Sequence, residues 1–200
     1  MKTDSLFYKL FQRWPELALD LADVETPAAS NYLFRSEEIK ETAFRLDGVL
    51  APPEAGDDPW VFVEVQFHPD DTLYRRLFAE IFLFLHRAEK PRPWRALVLY
   101  PDAGVERIPP GYATLLELPE VRRVDLGGLS GQDRATPGWE LLRMLIEEPP
   151  AAVDRARRLL EAERSAASVG SSDLRELLDF IDSVENHALR AWSEFNGFAS

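Results

Sequence analysis

The chain has 200 residues, 46% of them hydrophobic, enough to bury the core of one ordinary domain or a domain with a helical appendage. Its formal net charge of −12 means that it lacks the general basic field of a tight nucleic-acid binder, although a local carboxylate cluster holding a cation would reverse that field where it matters. The absence of cysteine excludes disulfides, thiolate zinc sites and cysteine nucleophiles.

The N-terminal stretch from Asp4 places Leu6, Phe7, Leu10, Phe11, Trp14, Leu17 and Leu21 at helical spacing, and Pro15 threatens to split that helix in two. Charges interrupt its apolar residues every few positions, so it is no signal peptide, and no later run is long and apolar enough for a membrane span. The expectation is a cytoplasmic protein without a membrane partner. Residues 42 to 50 alternate, with Phe44, Leu46 and Leu50 on one parity and Arg45 and Asp47 on the other, as in a half-buried strand. APPEAGDDP is a loop, and WVFVEVQF, from 60 to 67, is rich in β-branched and aromatic residues and reads as a central strand pairing in a hairpin. An apolar helix is predicted from 72 to 88, ended by Lys90-Pro91-Arg92-Pro93. Short strands follow at 95–100 and 121–126, with a helical turn near Tyr112 to Leu116 between them. Beyond Gly127-Gly128 the pattern is helical only, and its broad stripe of Leu174, Leu177, Leu178, Ile181, Val184 and Leu189 suits packing on the core or a dimerisation or recruitment arm. The predicted architecture is a three-layer α/β core over 1–130, helices on a mixed sheet, with a helical extension over 131–200.

Chemistry concentrates on one strand. Glu64 and Gln66 are two residues apart and therefore share a face, with His68 on the same parity, while Val63, Val65 and Phe67 point the other way. An antiparallel pairing of the two strands brings Asp47 near Glu64, so that two carboxylates could share one hard cation. A glutamate in so apolar a strand is costly to bury without a partner, although a strand with one wet face explains the same alternation. His68, before Pro69, suits a metal ligand, a proton shuttle or a plain loop residue. Asp4 and the Glu37-Glu38 pair are further carboxylates with capping or solvation as their ordinary role. Trp60, Phe62 and Trp94 suit base stacking or simple core packing.

The segments KTDSLFYKLF, RLDGVL, WVFVEVQF, LYRRLFAEIFLFL and PWRALVLYP, in that order over about residues 2 to 130, resemble the Rpn-type recombination-promoting nuclease and transposase family, a branch of the PD-(D/E)XK superfamily. The resemblance implies a restriction-endonuclease-like core and a metal-dependent DNA endonuclease acting in recombination or on mobile DNA. It implies Asp47 and Glu64 as metal ligands for Mg²⁺, with Mn²⁺ and Ca²⁺ as alternatives. Gln66 then stands where the superfamily has lysine, and a neutral amide hydrogen-bonds but carries no charge. Arg45, Arg75 and Arg76 are the candidate phosphate-binding cations, each with a solvated surface residue as its plain reading. The competing expectation is a catalytically weak nuclease-like module that binds nucleic acid or a protein partner. A symmetric homodimer is compatible with either.

Overall fold

The computed structural model describes residues 3–39, 44–129 and 136–147, together with Ala151, Ala152, Asp154, Arg155 and Arg158. The chain divides into two compact units, Phe7–Gly131, and Met1–Leu6 together with Gln132–Ser200. The helices read from sequence beyond residue 158 lie outside the described residues.

Helix α1 covers Thr3–Arg13 and helix α2 covers Pro15–Leu21. The break falls at Pro15, which occupies the first turn of α2, the one helical position where a missing N–H goes unnoticed. Five strands then form one sheet in sequence order: β1 Leu33–Ile39, β2 Phe44–Ala51, β3 Trp60–Val65, β4 Trp94–Tyr100 and β5 Val121–Asp125. The first three are antiparallel neighbours, whereas β3, β4 and β5 run parallel. The parallel step from β3 to β4 is made through helix α3, Leu73–Arg87, because parallel neighbours need a crossover. The short helix α4, Ala113–Leu116, precedes β5. The sheet is thus mixed and the fold α/β.

Strand parity sorts the core into two faces. Val49, Phe62, Ala96, Val98 and Tyr100 are buried with Leu73, Tyr74, Leu77, Phe78 and Ile81 of α3. On the opposite face the Phe34 ring lies 5.2 Å from Tyr8 and 5.7 Å from Phe11, and Phe67 lies 5.5 Å from Phe7, so the aromatic stripe of α1 covers that side. The Phe34 ring packs directly over Gly48, and a Cβ there would collide with it. Strand β1 was not legible as a strand: LFRSEEI carries an arginine and two glutamates, the composition of a solvent-facing edge. Glu37 and Glu38 belong to it, with Glu38 opposite Arg45 of β2.

In the other unit, helix α5 covers Pro137–Ile146 and starts on Thr136, whose side-chain oxygen accepts from Trp139 N at 3.4 Å. Arg155 holds the carboxylates of Glu140 and Glu147, and the hydrogen bond to Glu147 keeps its guanidinium firmly charged. Among the described residues no helix is long and apolar enough to cross a membrane.

Candidate functional site

The carboxylate of β3 is buried. Glu64 is 4% exposed, so the wet-face explanation of its alternation does not apply, and a charge there needs a partner. Strand β3 sets its direction: Glu64 has the parity of Phe62 and points toward α3. There Arg76, in the first turns of the helix, donates from Nη2 to Glu64 Oε1 at 3.0 Å and from Nη1 to Asp70 Oδ2 at 3.1 Å. Its Nε lies 3.9 Å from Oε1 of Glu80, four residues further along the helix and 1% exposed. One guanidinium therefore serves three carboxylates. Burial works against its charge, but the field of Glu64 and its hydrogen bonds to Asp70 and Glu64 outweigh that, and the pKa of Arg76 is raised. Asp70 is held below the ordinary carboxylate range, first by the Thr72 hydroxyl and backbone N–H, each at 2.7 Å, and then by Arg76.

The antiparallel ladder of β2 and β3 pairs Leu50 with Val61, Val49 with Phe62 and Gly48 with Val63. The ladder ends there, and on the other side of β2 the register with β1 shifts between Arg35 and Glu37, so that positions 47 and 48 stand opposite position 36 alone. Such a bulge interrupts the strict alternation of faces, so the ladder brings position 47 beside position 64 along the backbone and no more. The side chains of Asp47 and Arg45 lie outside the described ones, as do those of Asp4, Glu37 and Glu38. Two carboxylates at neighbouring positions are a hard-oxygen donor set of the kind Mg²⁺ takes, and in residue type these positions fit the ion. Among the described residues, no group of three His, Asp or Glu side chains is placed to hold a metal.

Gln66 falls one residue beyond β3, shorter than the predicted strand, but its N–H still bonds to Leu99 O at 2.9 Å and extends the ladder. Its side-chain amide donates to the backbone oxygen of His68, and His68 itself is exposed. Arg75 is also exposed. Trp60 and Phe62 take part in an aromatic chain through Phe84, with ring centroids 4.9 and 5.2 Å apart.

Sequence reasoning passed over Glu80 and Asp70. The signal for Glu80 was present, since it interrupts the stripe of Leu73, Leu77 and Phe84 at helical spacing and stands four residues after Arg76. It also passed over a second polar cluster on the same face. The Tyr74 hydroxyl of α3 meets both the Tyr100 hydroxyl and Glu106 Oε1, and Arg123 of β5 donates to Glu106 Oε1 at 2.9 Å and Oε2 at 3.1 Å. Burial, then the neighbouring carboxylate, pushes the Tyr74 phenol far above its ordinary pKa, and burial does the same for Tyr100. The register pairs Glu64 with Val98 and Val98 with Arg123, so this cluster follows Glu64 across the sheet toward its parallel edge.

No curated protein and no solved structure matches the sequence. One family profile does, over residues 3–191, almost the whole chain, and the protein therefore belongs to the family described as Protein of unknown function (DUF2887).

Proposed function

We propose that the Phe7–Gly131 unit is a metal-dependent DNA endonuclease with a restriction-endonuclease-like core, its chemistry organised on Asp47, Glu64 and Gln66. The observation that carries this reading is the buried Glu64 on the α3 face of β3, one residue beyond the last β2–β3 pair, Gly48 with Val63, as position 47 is on β2. A mixed sheet with helices packed on it supports the core assignment. Asp47 and Glu64 would hold the ion. A bound Mg²⁺ would supply Lewis-acid stabilisation of the phosphate and lower the pKa of a coordinated water. Gln66, at the strand end, has an amide that can orient a water or a phosphate oxygen but cannot neutralise charge. That task falls to a guanidinium. Arg76 is the best placed, already beside Glu64 with its side chain 38% exposed, whereas Arg75 and Arg45 offer outer contacts to the phosphate backbone.

One observation favours a second reading, a catalytically weak module that binds nucleic acid or a protein partner through the same scaffold. The Arg76 guanidinium sits on Glu64 at 3.0 Å and neutralises it, as a metal ion would. The two readings separate on supercoiled plasmid incubated with Mg²⁺, Mn²⁺ or EDTA, beside Glu64→Ala. The endonuclease reading expects metal-dependent nicking that Glu64→Ala abolishes. No cleavage with either metal, or cleavage that survives the substitution, gives the binding reading instead.

A further inference from the structure

A cavity of about 510 Å³ opens at the other end of β3 from Glu64. Trp60, which opens the strand, and Phe84, in the last turns of α3, supply its apolar wall. Four cations surround them: Arg35 of β1, Arg87 at the end of α3, and Lys90 and Arg92 on the segment leading to β4. Only two carboxylates, Glu54 and Glu89, accompany them. The wall therefore has a net positive charge of two, four cations less two anions, in a chain whose formal net charge is −12.

The cations sit on three different segments, β1, the end of α3 and the loop before β4, and they converge because the β3–α3–β4 crossover returns the chain to the start of β3. A solvated charge run would give one segment, not three. Arg92 is fixed in place by its Nη2, which donates to the backbone oxygen of Glu54 at 2.6 Å. Two donors of the wall, Trp60 Nε1 and Arg92 Nη1, are buried and have no hydrogen-bond partner among the described residues. Leaving a buried donor unsatisfied costs about 1–3 kcal/mol, so a ligand oxygen that reaches either one recovers a bond the chain itself does not make. Both atoms are buried, and the side-chain shifts common on ligand binding are what would uncover them.

We propose that this cavity binds a nucleotide, its phosphate held by the Arg35, Arg87, Lys90 and Arg92 cations and its base packed against Trp60 and Phe84. Each part has a physical reason. Guanidinium forks match phosphate oxygens bidentately, and three of the four cations are arginines. A flat heteroaromatic base gains from ring contacts that a bare anion cannot use. Glu54 and Glu89 accept hydrogen bonds from sugar hydroxyls or an exocyclic amine, groups that inorganic phosphate lacks. The volume is ordinary for a small-molecule site. The site is separate from the carboxylate cluster: Trp60 precedes Glu64 by about 13 Å of strand, and Arg87 follows Arg76 by about 16 Å of helix. It does not rest on the endonuclease reading. A free nucleotide and the 5′-phosphorylated end of a strand present the same chemistry.

The test is isothermal titration of the full chain at low salt with AMP, adenosine, inorganic phosphate and a 5′-phosphorylated tetranucleotide. AMP or the tetranucleotide is expected to bind at one site at least about tenfold more tightly than adenosine or phosphate alone, a difference of about 1.4 kcal/mol. Whichever of the two binds more tightly identifies the source. Lys90→Glu and Arg87→Glu, both exposed positions, are each expected to weaken that binding about tenfold or more. Phosphate binding as tightly as AMP, no binding of either nucleotide, or an affinity indifferent to both charge reversals overturns the proposal.

Discussion

Replacing Arg76 with alanine leaves Glu64 and Glu80 in the interior without the cation that both face. Deleting one partner of a fully buried ion pair costs about 3–5 kcal/mol, because the remaining charge has lost its water and gained nothing. The two carboxylates meet that condition, with side chains 5% and 1% exposed. Arg76 does not, because its side chain is 38% exposed and water screens part of its field. Weighing the two gives an expected loss of about 2–3 kcal/mol. Glu64→Gln retains a hydrogen-bonding group of the same shape and removes one of the charges, so its own cost is expected to be smaller, about 1 kcal/mol. If the pair is coupled as its 3.0 Å contact implies, the double variant is less destabilised than the sum of the single ones by about 1–2 kcal/mol. Urea unfolding followed by circular dichroism and by tryptophan fluorescence measures all four proteins, and coincident transitions license the free energies. Strict additivity, or an Arg76→Ala chain within about 0.5 kcal/mol of the parent, would show that the buried carboxylates are not balanced by this guanidinium.

Two further outcomes follow from neighbouring contacts. Gly48→Ala puts a methyl group into the Phe34 ring and is expected to destabilise by about 1–3 kcal/mol, measured as a fall in Tm that Phe34→Leu partly restores. Tyr74 and Tyr100 have folded pKa values raised above that of a free phenol. Their contribution is therefore complete below the unfolded pKa of about 10 and is lost as pH rises beyond it, at about 1.4 kcal/mol per pH unit for each group. Tyr74→Phe should cost about 1–2 kcal/mol at neutral pH and should flatten the alkaline limb of stability against pH, which denaturation at pH 7 and above pH 10 will reveal.

What could be seen in the sequence was local, and what escaped it depended on the crossover. The alternation of WVFVEVQF gave both the strand and the odd carboxylate within it, and Pro15 marked the division of the first helical segment because ring geometry at a helix start is a local matter. The expectation that Asp47 and Glu64 share a face rested on unbroken alternation along β2, which the register shift against β1 interrupts. Strand β1 escaped because an edge strand carries charge where a central one carries valine, so LFRSEEI shows no clean alternation. Arg76 was visible as a cation, but its engagement with Glu64 requires α3 to return across β3, a fact that no helical period contains. The Tyr74, Tyr100, Glu106 and Arg123 cluster draws on four separate segments, and the cationic cavity around Trp60 draws on β1, α3 and a loop. Such assemblies come from topology alone.

The most direct test of the central claim, that positions 47 and 64 act as one cation-binding pair, is a Mn²⁺ titration of the full chain followed by electron paramagnetic resonance of the free ion. The account predicts one site in the parent protein, lost in Asp47→Asn and lost equally in Glu64→Gln, with the fold of both variants intact by circular dichroism. A chain that binds no Mn²⁺, or one whose site survives both substitutions, contradicts it.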